Sequence, residues 1–121
     1  ETTQVVSQIG SRHMEVIERW GEMLRSNRYV RRSWLGEDML SRGTWSEPII
    51  VLAPEPDACY PDGQPLPQPY CLLEGHHRLG YLRSMATDEL PLQPEHQVWI
   101  CRPVRDTQTF LPANPASEIN F

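Results

Sequence analysis

The sequence predicts a small α+β domain, and three observations carry that reading. Short apolar runs at residues 48–53, 69–73 and 97–101 have the length of strands. Apolar residues at near-helical spacing precede the first run, and a helical stretch separates the second from the third. A chain of 121 residues also suffices for one domain with a real core, but not for two. Its 39% hydrophobic and 22% charged residues are those of an ordinary globular protein.

The elements follow in order. Between residues 5 and 24, Val6, Ile9, Ile17, Trp20 and Leu24 recur with nearly helical spacing. Gly10 and Ser11 divide that stretch, and Ser11 is expected as the N-cap of its second part. A short helix over 35–42 should close on Gly43 as a left-handed cap. The strand 48–53 is continuously apolar, which predicts burial on both faces, and Pro48 fits at its first residue, where no ladder donor is needed. Residues 53–70 are dense in proline and cannot sustain a helix or a central strand; Pro61-Asp62-Gly63 reads as a tight turn. This stretch is expected to be a long surface insertion between neighbouring strands, and a mobile one. The second strand, 69–73, runs into a helix opening at His76 with its body at 79–86, and the third strand is 97–101. Pro103, Pro112 and Pro115 predict an extended tail over 103–121, packed on the domain or on a partner. The organisation is therefore a helical extension at 1–33, a core at 34–102 with its insertion at 54–69, and the tail.

Composition excludes several classes. No apolar run approaches the roughly 20 residues of a membrane span, and no signal-peptide pattern is visible. A net charge of −5 argues against a dedicated DNA-binding surface. All 11 basic residues are arginine, so anion recognition falls to Arg, His and backbone amides. Arg25, Arg28, Arg31, Arg32 and Arg42 crowd into one region, where a solvated face is the plainer explanation. Cys59, Cys71 and Cys101 are odd in number and widely spaced, which indicates neither a disulfide framework nor a zinc ribbon and makes the cytoplasm the expected compartment. The sequence begins at Glu1 rather than Met, so one domain of a longer chain is a reasonable expectation.

The stretch "YCLLEGHHRLGYLRSM", residues 70–85, carries the functional signal. A strand ends in Glu74 and Gly75, and a helix then opens with His76, His77 and Arg78. Cations in a first turn face the positive end of the helix dipole, at a cost of about 0.3–1 kcal/mol each when exposed. Asp88 and Glu89 oppose the dipole at the other end. A bound anion would reverse that account at the first turn, drawing on the amides after Gly75 and on Arg78. Two ordinary alternatives stand beside it: Arg78 pairs with Glu74 four residues earlier, or His77 satisfies a buried carbonyl.

The same residues resemble a known family. "EGHHRLGYLRSM" is similar to the signature turn of the ParB/sulfiredoxin superfamily, which reads Gly-Glu-Arg-Arg in ParB proteins and Gly-Gly-Cys-His-Arg in sulfiredoxins. The upstream order, a short helix ending in Gly43 and then "EPIIVL", resembles the family's helix and Pro-Ile-Ile-Val strand, and "QVWICRP" its following strand. The resemblance spans roughly 34–102. It implies a mixed sheet with flanking helices and a nucleotide whose phosphates sit at the turn: ATP, ADP or CTP with magnesium. Gly75 and His76 would offer amides, His77 and Arg78 would contact phosphate oxygens, and Arg31 or Arg32 would stand in for an absent lysine. The implied activity is that of a nucleotide-dependent phosphotransferase or NTP hydrolase. Glu74 is the candidate base and His76 a candidate nucleophile. Glu37 and Asp38 are further acids, better explained as favourable charges in a helix's first turn.

The chain also departs from the family. His76 replaces the reactive cysteine of sulfiredoxins, so sulfinic acid repair is not expected. The ParB helix-turn-helix is missing from this sequence, so direct DNA binding is not expected either. His76 and His77 point about 100° apart on a helix, which makes a shared metal awkward, and none is assigned. The alternative to an enzyme is a non-catalytic nucleotide-sensing or protein-interaction module, with a protein partner or a second copy. A ParB-like nuclease is the weaker third reading.

Overall fold

A computed structural model describes residues 2–103 and 119–120. The elements run α1 (Thr2–Ser7), β1 (Ile9–Gly10), α2 (Met14–Ser26), α3 (Arg28–Arg31), α4 (Trp34–Arg42), β2 (Ile49–Leu52), β3 (Tyr70–Glu74), α5 (His76–Thr87), β4 (Val98–Arg102) and β5 (Ile119–Asn120). The three apolar runs lie side by side in one mixed sheet of order β1-β3-β2-β4-β5. β2 pairs antiparallel with β3 and parallel with β4, while β1 and β5 add parallel at the two edges. The α+β reading therefore holds, with helices packed on the sheet.

Burial follows the side-chain period of two. Ile49 and Val51 are fully buried, whereas Ile50 and Leu52 on the opposite face are only half-covered. The expectation of burial on both faces of β2 is corrected accordingly: the helices cover one face. Ile17 and Leu24 from α2, Met39 from α4 and Leu79, Leu82 and Met85 from α5 close over Ile49, Val51 and Leu72. Removing one such side chain would cost about 2–5 kcal/mol.

α4 ends as its sequence demands, with Gly43 at φ 73° and its amide on the Met39 carbonyl. The break at residues 10–11 is real, but its details differ from expectation. Ile9 and Gly10 form a strand beside β3, and the N-cap of α2 is His13. Ser11 instead accepts from the His13 amide through Oγ, a local turn that delays the helix by two residues.

The connection 53–69 joins adjacent strands, as expected, and it is built rather than slack. Tyr60 donates its amide to the Gln64 carbonyl and Leu66 donates to Ala58, closing a small loop around Gly63. Tyr60 Oη lies 3.6 Å from Cys71 Sγ, and the Arg12 guanidinium sits 4.0 Å over the Tyr60 ring while pairing with Asp62. Of the tail, only Pro103, Ile119 and Asn120 fall among the described residues, the last two paired beside β4; the rest of the expected extended segment lies outside them. No helix among the described residues is long and apolar enough to cross a membrane.

Candidate functional site

Gly75 makes the turn from β3 into α5. Its φ of 109° suits glycine, and a Cβ there would come within 2.5 Å of Ile49 Cγ2. The first turn of α5 is thereby pressed against the start of β2. With Gly75 as N-cap, no side chain caps the helix.

Arg78 leaves the dipole behind. Nη1 donates to the Glu47 and Pro48 carbonyls, each at 2.9 Å, and Nη2 stands 3.6 Å from Glu74 Oε1. Its side chain is 20% exposed, against 64% for Glu74. The cation that seemed misplaced at a helix start is thus a strut between α5 and the entry to β2. At the other end, Arg25 reaches Asp88 at 3.2 Å and Ser84 Oγ at 3.2 Å, which answers the acid at the C-terminus of α5.

The imidazoles lie elsewhere. His77 stacks on Trp20, with ring centroids 3.9 Å apart, and meets the edge of Tyr81 at 6.2 Å. Although much of its surface stays exposed, that contact buries one ring face; burial first, then His76 and Arg78, lowers its pKa. His76 is half-buried, and its ring centroid lies 6.0 Å from that of His13, the N-cap of α2.

This pairing follows from how α2 and α5 pack. His13 meets His76, Ile17 and Gly21 meet Gly80, and Arg25 meets Ser84 and Asp88, so the two helices run parallel. A Cβ on Gly21 would stand 2.6 Å from the Gly80 carbonyl oxygen, and one on Gly80 would collide with the Ile17 carbonyl. The backbones touch. Parallel dipoles add instead of cancelling, and both positive ends emerge together. Neither N-terminus has a side-chain cap, whereas Asn27 caps α3 and Ser33 caps α4.

The remaining candidates are dispersed. Arg31 Nη1 rests 3.5 Å from the Arg25 carbonyl, at the end of α2 next to Asp88, a full helix length from His76. Arg32 closes α3 with its side chain exposed. The structure places Arg31 away from the turn, and no contact among the described residues joins Arg32 to it. Trp34 and Leu35 do share a cavity of about 220 Å³ with Ser46, Glu47 and Arg78. Glu37 and Asp38 line a second groove that Trp34 also borders, with Leu40 and Ser41. Arg42 bonds Asp38 Oδ1 at 2.6 Å and holds that carboxyl below its usual pKa. His96 is buried against Trp45, with Nδ1 2.7 Å from Thr44 Oγ1, and burial lowers its pKa. No group of three or more metal-ligating side chains occurs among the described residues.

Sequence reasoning passed over His13 and took Trp20 only as an apolar helix position, not as the partner of His77. The signal that could have found them is the glycine at position 80, which costs about 1 kcal/mol in a helix interior unless something packs there. No family model, curated protein or solved structure matches this chain.

Proposed function

We propose that the protein binds a phosphate-bearing small molecule, a nucleotide, at the paired N-termini of α2 and α5. One observation carries the reading: two parallel, uncapped helices present their positive ends together, bordered by His13 and His76. The resemblance of the turn at residues 75–78 to the phosphate-binding turn of the ParB/sulfiredoxin superfamily supports it. In this reading the amides of the first turn of α5 and the His13 and His76 imidazoles face the phosphate. His77 holds the turn against Trp20, and Arg78 positions it from behind. Arg31 and Arg32 take no part.

Binding without catalysis is favoured over phosphotransfer, because Glu74 is exposed and paired with Arg78 rather than poised as a base. A nucleotide-sensing module in the cytoplasm, with magnesium entering on the nucleotide, fits this description.

Titration calorimetry with ATP, ADP, CTP and inorganic phosphate, with and without magnesium, tests the proposal. Saturable binding that weakens about tenfold or more in His13→Ala and His76→Ala is expected, since a hydrogen bond to a charged group contributes about 1.5–3 kcal/mol. Absence of binding by all four ligands, or affinity unchanged in both variants, refutes it.

A further inference from the structure

The structure assigns a second surface, at α3 and the start of α4, and we propose that it binds single-stranded nucleic acid. The two most exposed aromatic side chains among the described residues, Tyr29 at 73% and Trp34 at 72%, lie five positions apart on this stretch. Chain geometry holds them within at most about 18 Å of each other, the reach of a short oligonucleotide. Arginines flank Tyr29 in the sequence, while Trp34 borders a groove that also holds Glu37 and Asp38. Residues 25–34, "RSNRYVRRSW", contain four arginines and no acid in a chain of net charge −5. Arg25 is committed to Asp88. Arg28, Arg31 and Arg32 have no carboxylate partner among the described residues, and the Arg28 guanidinium lies 5.3 Å from the centre of the Tyr29 ring.

Exposed rings beside unpaired guanidinium groups form the combination that holds a single strand: bases stack on the rings and arginines neutralise phosphates. A protein partner fits less well. Val30 packs towards the core, and the grooves beside Trp34 that Leu35 and Leu40 help to line are shared with Glu47 and Arg78 and with Glu37 and Asp38, so no wholly aliphatic groove stands open for a peptide side chain. Duplex DNA also fits poorly, because its bases are already stacked and closed to an exposed ring. The overall negative charge argues against a broad basic face, but it does not weigh on a patch this local. This surface is distinct from the helix ends proposed to bind nucleotide, and either proposal can fail alone.

The test is fluorescence anisotropy with labelled oligouridylate and oligothymidylate about 15 nucleotides long, against a duplex and poly-glutamate. Binding of either single strand satisfies the proposal, and the ratio of the two identifies RNA or DNA as the source. Tyr29→Ala and Trp34→Ala should each weaken binding at least about fivefold, while Tyr29→Phe and Trp34→Phe retain it. Replacing Arg28, Arg31 and Arg32 together with glutamine should reduce the slope of log K against log salt by about 2. Circular dichroism checks that these exposed substitutions leave the fold intact. No single-strand binding at low salt, equal affinity for duplex or poly-glutamate, or alanine variants that bind like the wild type would each overturn it.

Discussion

Replacing Arg78 with alanine separates a strut from a ligand contact. The guanidinium donates to two carbonyls, those of Glu47 and Pro48, each at 2.9 Å. A hydrogen bond from a charged donor is worth about 1.5–3 kcal/mol, and the side chain is mostly buried, so the pair sums to roughly 3–6 kcal/mol at most. Two corrections bring that down. The freed carbonyls lie near the surface and regain water, and removing a cation from the first turn of α5 returns about 0.3–1 kcal/mol. Glu74 adds little, because it is exposed and stands at 3.6 Å. The expected net loss is about 2–3 kcal/mol, a large share of the 5–15 kcal/mol of a typical domain. Urea unfolding followed by tryptophan fluorescence reads this as a midpoint lowered by about 1–2 M at constant slope. Arg78→Lys should fall between the two, since an ammonium cannot reproduce the fork. An Arg78→Ala protein as stable as the parent, or more so, would show that repulsion at the helix start outweighs the two carbonyl bonds, and the strut would be wrong.

Three further outcomes are expected. Gly80→Ala forces a methyl group into the Ile17 carbonyl and should cost about 1–3 kcal/mol in the same unfolding assay despite alanine's better helix propensity; an unchanged midpoint would mean that α2 and α5 are further apart. His77 and His96 both have pKa values lowered from 6.5 by burial. The unfolded chain then binds more protons just below pH 6.5, so stability should fall as pH drops through that window; a His77→Gln/His96→Gln variant with the same pH slope would contradict this. Cys59 is exposed while Cys71 and Cys101 are buried, the latter with its thiol pKa raised by burial. Mass spectrometry after brief native alkylation should therefore find Cys59 modified and the other two intact, and early labelling of Cys101 would refute that packing.

Much of the fold was legible because its elements state themselves locally. The runs at 48–53, 69–73 and 97–101 combine strand length with apolar character, and Gly43 needs only its own conformation to mark a helix end. β1 was not legible: Ile9 and Gly10 are too few to show a period of two, and their strand exists only because β3 offers an edge. The turn at residues 75–78 was readable as a place of unusual charge. Which charges stay there depends on contacts far along the chain: Arg78 is drawn away by carbonyls 30 and 31 residues earlier, and His13 arrives through helix packing. Local pattern cannot reveal either. The arginine crowding was visible too, but which members find an acid, Arg25 and Arg42, and which do not, Arg28, Arg31 and Arg32, is a property of three dimensions.

The two-residue strand β1 at one margin of the sheet has a consequence for life at high concentration. An exposed strand offers unpaired amides and carbonyls on which another chain can grow a sheet, and long flat margins are where aggregation begins. Here the margin beside β3 is taken by β1, two residues long and too short to template a continuous ladder. Beyond Gly10 the chain turns away into α2, whose Arg12 approach is anchored to the proline-rich connection, and prolines can donate nothing to an incoming strand. A domain with no lysine to spread along that margin achieves the same protection by ending its sheet abruptly there.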